Sequence, residues 1–173
     1  VKPSSPSAAR LPAAGEVLPD VILTDTYFLE TARPFLELAR QHSIPVVLDG
    51  GSWKPSLEEI LGFVNYAVCS EQFRAPGSRS MEETAAYLYH AGVDQVCFTR
   101  GSDPLLCFGK DEGVQEFPVP QVSRVLDTLG AGDVFHGACC YALAAKTRDL
   151  EAVLSFAAST AARSVQVLGP RDW

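Results

Sequence analysis

The chain has 173 residues, of which 47% are hydrophobic and 20% charged, and its formal net charge is -7 at pH 7. This length and composition predict one folded domain with a substantial core and exclude an intrinsically disordered chain. The acidic charge, without a basic run, argues against binding to nucleic acid or to an anionic membrane through bulk charge.

The N-terminal segment comes first in the predicted organisation. Residues 1–16 are rich in Pro, Ser and Ala, and we expect them to form a linker or loose end, with the folded unit spanning residues 17–173.

Short apolar runs then alternate with segments of helical periodicity. Strands are predicted over residues 20–26, 44–51, 66–70 and 95–101, and helices over residues 30–42, 56–64, 80–92, 131–146 and 150–165. Pro34 should lie in the first turn of its helix, where a missing N–H costs nothing.

Two further runs predict a β-hairpin. Residues 104–109 and 114–119 are separated by the turn sequence KDEG. Strands that alternate with helices and are apolar on both faces predict an α/β fold, a doubly wound and mostly parallel sheet flanked by helices. The hairpin then supplies an antiparallel edge. Ligands bind beyond the carboxyl ends of parallel strands, where Asp49, Ser70, Glu71, Thr99 and Gly101 fall.

The number and spacing of the cysteines indicate whether the protein works in an oxidising or a reducing compartment. Their number, five, is odd, two are adjacent, and no pair has the CxxC spacing of a zinc site. We expect reduced, buried thiols in a cytoplasmic protein rather than a disulfide framework. Neither a signal peptide nor a membrane span is expected.

The sequence DTLGAGD, residues 127–133, carries the strongest chemical signal. Gly130, Ala131 and Gly132 leave backbone N–H groups unobstructed at the start of a helix, which predicts an anion site. Asp133 would be repelled by a bound anion, but it suits a general base for a hydroxyl that attacks phosphorus. A structural interpretation stays open, since Asp is favoured in a first helical turn and Gly-Ala-Gly also forms tight loops.

The longer string VLDTLGAGDVFHG, residues 125–137, resembles the signature of the ribokinase-like (PfkB) carbohydrate kinases, a family that includes adenosine kinase and ketohexokinase. The resemblance implies that Asp133 is the catalytic base and that residues 130–132 form the anion hole. It places Asp127 and Thr128 near the phosphates and, in some members, near a monovalent cation. It also implies ATP as donor, Mg²⁺ as cofactor and an alcohol group of a sugar or nucleoside as acceptor.

Two further segments resemble parts of the family's nucleotide site. Residues 97–109, CFTRGSDPLLCFG, resemble the nucleotide loop, which implies that Thr99, Gly101 and Ser102 face ATP. Residues 154–169 resemble the helix that closes over the adenine, and Ala158 and Gly169 match its small positions. An ordinary turn and an amphipathic core helix are the structural alternatives.

Other segments have ketohexokinase-like features. In LDGGSWKP, residues 48–55, Lys54 matches a lysine near the phosphates, although an exposed, solvated lysine is an equal alternative. Many members carry Asn-x-x-Glu after the third strand, where this chain has Ser70 and Phe73. We therefore assign no direct metal ligand and expect Mg²⁺ to be held by ATP and water. His136 is expected on the helix surface or in packing rather than in catalysis.

The resemblance runs from Asp20 to Trp173 but matches only the C-terminal portion of the family. The family's N-terminal strands, lid and most acceptor contacts have no counterpart, so one sheet edge should be open to a homodimer or to the missing half. Three hypotheses follow: part of an ATP-dependent sugar kinase, a truncated chain that binds nucleotide or a partner without turnover, and a generic nucleotide-binding module. The acceptor's identity is left open.

Overall fold

A computed structural model of the protein describes residues 10–13, 15–110, 113–147 and 149–169. Most of the predicted N-terminal linker, two residues of the hairpin turn, Arg148 and the last four residues lie outside these ranges. The strands are β1 (Ile22–Thr24), β2 (Val46–Gly50), β3 (Tyr66–Ser70), β4 (Gln95–Arg100), β5 (Asp103–Gly109) and β6 (Gly113–Phe117). The helices are α1 (Leu29–His42), α2 (Met81–His90), α3 (Ala131–Ala144) and α4 (Leu150–Ser164).

The six strands form one sheet in the order β1-β2-β3-β4-β5-β6. The first four are parallel, and β5 and β6 are antiparallel, so the predicted mixed sheet with an edge hairpin is confirmed. Within the described ranges β1 forms the other edge, where Leu23 is 46% exposed.

Apolar side chains cover both faces of the sheet, which confirms the doubly wound architecture. Alternation along β2 sends Val46 and Leu48 into a core with α1 and α2, and Val47 into a second core with α3 and α4. Small residues of α3 and α4, among them Ala138 and Ala157, allow these helices to lie close to the sheet. Both faces of the inner parallel strands β2, β3 and β4 are therefore covered, as their near-continuous apolar sequence predicts.

Helix α2 begins as its sequence predicts. The Ser80 hydroxyl accepts a hydrogen bond of 3.0 Å from the N–H of Glu83. The carboxylate of Glu83 accepts from the N–H of Arg79, one residue earlier than the capping box requires. None of the described helices is long and apolar enough to cross a bilayer.

Two local predictions were wrong. Instead of one helix over residues 56–64 the chain forms two 3₁₀ helices, Pro55–Glu59 and Leu61–Phe63. Leu57, Ile60 and Leu61 are all fully buried there, which a short 3₁₀ path achieves as well as an α-helix. Pro34 lies in the second turn of α1, so that helix forgoes the hydrogen bond to the carbonyl of Glu30.

The prediction of free thiols is confirmed for Cys69, Cys139 and Cys140. It was wrong for the remaining two cysteines. Cys97 and Cys107 form a disulfide. They lie directly opposite each other in the β4–β5 hairpin, with Cα atoms 4.1 Å apart. Sequence spacing does not reveal such a cross-strand contact, because it depends on the register of the hairpin.

Gly50 marks a close approach between β2 and β3. A Cβ built on Gly50 would lie 2.9 Å from the Cα of Cys69, whereas on the next residue, Gly51, it meets nothing nearer than the Asp49 carboxylate at 3.8 Å. We expect Gly50→Ala to lower the free energy of unfolding by about 1–3 kcal/mol, because backbone must move to accommodate the methyl group. Gly51→Ala should change it by no more than about 0.5 kcal/mol. Urea unfolding of both variants measures this, and equal midpoints would contradict the close approach.

Candidate functional site

The site is built around the start of α3. Gly130 precedes the helix with φ 75° and ψ 4°, a left-handed conformation that glycine adopts without strain. The N–H of Ala131 donates to the carbonyl of Thr128 at 3.1 Å. The N–H groups of Gly132 and Asp133 find no acceptor in the described chain. Two free donors therefore lie at the positive end of the helix dipole, and of the three predicted anion-hole residues Ala131 has its N–H engaged in the turn.

Asp127 stabilises the loop that precedes α3. Its carboxylate accepts hydrogen bonds from the N–H of Leu129 at 2.9 Å and from the N–H of Gly169 at 3.1 Å. The N–H groups of Leu126 and Asp127 donate to the carbonyl of Val165, just after α4. Both carboxylate oxygens of Asp127 therefore accept backbone hydrogen bonds. Its contact with phosphate or a cation stays a prediction.

A cavity of about 500 Å³ opens on one side of the α3 start. Seven of the residues predicted to bind nucleotide or phosphate line it: Thr99, Gly101, Ser102, Thr128, Ala131, Gly132 and Ala158. Its other lining residues are mostly apolar and come from the segment after β6 and from α4, including Val119, Val125 and Ala162. Gly169 is not among the lining residues and contributes through its hydrogen bond to Asp127.

A second cavity, of about 440 Å³, lies on the other side of the same turn. Asp133 lines it together with Asp25 and Asp49, which follow or end the two neighbouring strands β1 and β2. Tyr27, Phe28 and Phe35 supply an aromatic part of its wall. Carboxylates beside aromatic rings can hold a polyhydroxylated molecule by hydrogen bonds and stacking.

Asp49 is the electrostatically perturbed member of this cavity. Burial raises the pKa of its carboxyl, the neighbouring His136 opposes that effect, and the charges of Asp133 and Asp25 add to the rise. The two neighbouring charges thus disfavour the ionised form of Asp49.

Lys54 lies toward the second cavity. Its Nζ is 5.3 Å from the centre of the Tyr27 ring, which lines the wall beside Asp133. Lys54 does not line the 500 Å³ cavity. Its predicted role near the phosphates stays a prediction, and in the observed conformation it makes a cation–π contact.

The described residues do not group the ligands of a dedicated Mg²⁺ site. Phe73 stands where many family members carry the Glu of Asn-x-x-Glu, and it is 1% exposed and packs in the core. Ser70 stands at the Asn position, and its hydroxyl donates to the carbonyl of Gly51 at 3.2 Å. Among the described residues no three His, Cys, Asp or Glu side chains are grouped to hold a metal ion.

Sequence reasoning missed two residues of the site. Asp25 follows β1, and the rule that ligands bind beyond carboxyl ends of strands could have found it. His136 is 5% exposed, so of its two expected places, helix surface or packing, the structure has the packed one. Its ring also contacts the first turn of α3, β2 and β3, which the sequence did not indicate. No sequence signal identifies such a contact, because it spans 68 residues.

Comparison with known proteins agrees with this geometry. The model of the pfkB family carbohydrate kinases matches residues 10–172. Ribokinase of Bacillus subtilis is 30% identical over 147 residues, which are 81% of this chain and 46% of that protein. The chain therefore spans about half the length of this relative.

Solved structures share the fold. Arabidopsis thaliana ribokinase complexed with ribose and ATP has a TM-score of 0.73 at 23% identity, over 87% of this chain and 51% of that one. Aminoimidazole riboside kinase of Salmonella enterica, complexed with aminoimidazole riboside and an ATP analog, has a TM-score of 0.69 at 24% identity, over 90% and 61%. With the predicted signature at the start of α3, the family match makes this chain a member of the pfkB family of carbohydrate kinases.

Proposed function

We propose that this chain carries the nucleotide-binding and base-bearing part of an ATP-dependent phosphotransferase that moves the γ-phosphate to an alcohol group of a sugar or sugar-like acceptor. One observation carries the proposal. Three consecutive residues at the start of α3 divide two cavities, since Ala131 and Gly132 line the first and Asp133 lines the second. A phosphate held at the backbone of this turn would face the first cavity, and a hydroxyl in the second would face the carboxylate.

The chemistry follows from this arrangement. ATP occupies the cavity lined by Thr99, Gly101 and Ala158. The acceptor hydroxyl in the second cavity gives its proton to the Asp133 carboxylate as its oxygen forms a bond to the γ-phosphorus, and the bond to the ADP oxygen breaks. The N–H groups of Gly132 and Asp133 offset the negative charge that builds on the transferred oxygens.

Mg²⁺ would bind to this chain together with ATP. Mg²⁺ is a hard cation that readily keeps phosphate and water oxygens as ligands, so it can arrive with ATP without a full set of protein ligands. No step here runs through a protein-bound metal. A monovalent cation near Asp127 and Thr128 remains a hypothesis from the family resemblance.

The ligands of the two kinases described above support ATP as donor and a sugar or riboside as acceptor. The acidic second cavity supports the same class, because carboxylates accept hydrogen bonds from hydroxyl groups. We take residues 17–173 as one unit of this kinase.

A second candidate function is a catalytically incomplete chain that binds nucleotide or a partner without turnover. The observation in its favour is that the chain spans 46% of the Bacillus ribokinase. The exposed edge at β1, where Leu23 is 46% exposed, could pair with a further strand, either from a second copy or from an N-terminal half.

The decisive experiment compares two proteins on one panel of acceptors. We expect the protein at the full length its gene encodes to consume ATP with at least one member of a set of pentoses, hexoses and nucleosides. We expect the 173-residue chain to bind ATP in calorimetry. ATP binding without consumption by either protein would favour the second candidate. Absence of ATP binding by both would refute the proposed kinase and the nucleotide-binding form of the second candidate.

A further inference from the structure

His136 is a buried histidine with an acceptor at each ring nitrogen. Its Nδ1 lies 2.7 Å from the carbonyl oxygen of Gly132, four residues earlier on α3. Its Nε2 lies 3.0 Å from the carbonyl oxygen of Val68 on β3. The Asp49 carboxylate on β2 lies 3.5 Å from Nδ1. One side chain therefore links the first turn of α3 to the two central strands that bound the site.

The ring can bind these partners by donating a proton. Carbonyl oxygens only accept, so a ring nitrogen must carry a proton to bind either carbonyl. His136 is 5% exposed, so solvent offers the ring little alternative to these partners. Because Gly132 belongs to α3 and Val68 to β3, the ring holds the helix and the strand together.

We propose that His136 is a positioning residue that ties the first turn of α3 to β2 and β3 through its contacts with the Gly132 carbonyl, the Val68 carbonyl and the Asp49 carboxylate. The tie fixes the turn whose N–H groups and Asp133 carboxylate face the two cavities. It rests on the proposed function, because the purpose of the fixed turn is to align the base with the phosphate. A displacement of about 1 Å in such a group can cost about 10²-fold in rate.

The first test needs no assay of activity. In the 173-residue chain, His136→Leu should accelerate amide hydrogen exchange at residues 132–136, because it removes the tie. His90→Leu is the matched control, because the Nδ1 of His90 also lies 2.8 Å from a carbonyl four residues earlier, that of Ala86, while the ring is exposed. Unchanged exchange in a folded His136→Leu variant would overturn the proposal, whatever the protein's activity.

The second test uses the protein at the full length its gene encodes. His136→Leu should lower kcat by about 10- to 10²-fold and raise the KM for ATP by a smaller factor, because the loosened turn carries Asp133 but only part of the wall of the nucleotide cavity. His136→Gln, whose amide retains N–H donors, should recover part of that loss, and His90→Leu should have no effect. A folded His136→Leu variant with the kcat of the unmodified protein would overturn the proposal.

The two tests separate this inference from the proposed function. If the unmodified full-length protein has no phosphotransferase activity, the proposed function fails, while hydrogen exchange still decides whether His136 ties the turn. If His136→Leu does not fold, His136→Gln decides instead by the same two measurements, and values equal to those of the unmodified protein would overturn the proposal.

Discussion

Asp133→Asn is expected to lower kcat of the full-length protein by about 10²–10⁴-fold, the range for loss of a general base. Asparagine has nearly the same shape and keeps the backbone N–H of this position, so the anion site at the α3 start remains. The KM for ATP should change little, because Asp133 lines the second cavity and not the nucleotide cavity. Steady-state kinetics with the best acceptor measures both parameters.

A control separates base chemistry from helix electrostatics. Asp133 lies in the first turn of α3, where any carboxylate stabilises the dipole by about 0.3–1 kcal/mol. Glu151 holds the equivalent first-turn place in α4 and is exposed. Glu151→Gln should lose similar stability and no activity. A folded Asp133→Asn variant that keeps a tenth or more of the original kcat would remove Asp133 from the role of base.

The architecture could be predicted from the sequence because buried apolar residues recur with the period of the strand or helix that contains them. Val46, Val47 and Leu48 form an unbroken apolar run, and that is possible only where both faces of a strand are covered. The same reasoning placed Asp49 at a strand end and Ser80 at a helix start. These are local facts, since each depends on residues within a few positions of one another.

What the sequence did not reveal depends on contacts between distant segments. Cys97 and Cys107 meet because of hairpin register, and His136 meets Val68 because α3 packs over β3. Neither pairing leaves a periodic signal. Asp127 shows the same limit in the site, because its hydrogen bond from the N–H of Gly169 joins residues 42 positions apart.

Gly132→Pro is expected to lower kcat by about 10²–10³-fold, the usual effect of removing one donor to a developing oxyanion. Proline deletes the N–H of Gly132, and the folded chain loses no hydrogen bond, because this N–H has no acceptor in the part of the chain that the structure describes. A first helical turn tolerates proline for the same reason. The backbone of Gly132 does not need the left-handed conformation that Gly130 adopts.

The matched variant is Gly132→Ala, which keeps the N–H and adds a methyl group where nothing lies within 4 Å. Any rate that Gly132→Ala loses reports crowding of the phosphate, so the further loss in Gly132→Pro isolates the donor. Proline also disfavours a helical Ala131, so thermal unfolding must first show that the variant is folded. Equal kcat values in the two folded variants would mean that this N–H does not stabilise the transferred phosphate. The charge would then have to be offset by other groups, with Lys54, beside Tyr27 at the second cavity, the first to substitute.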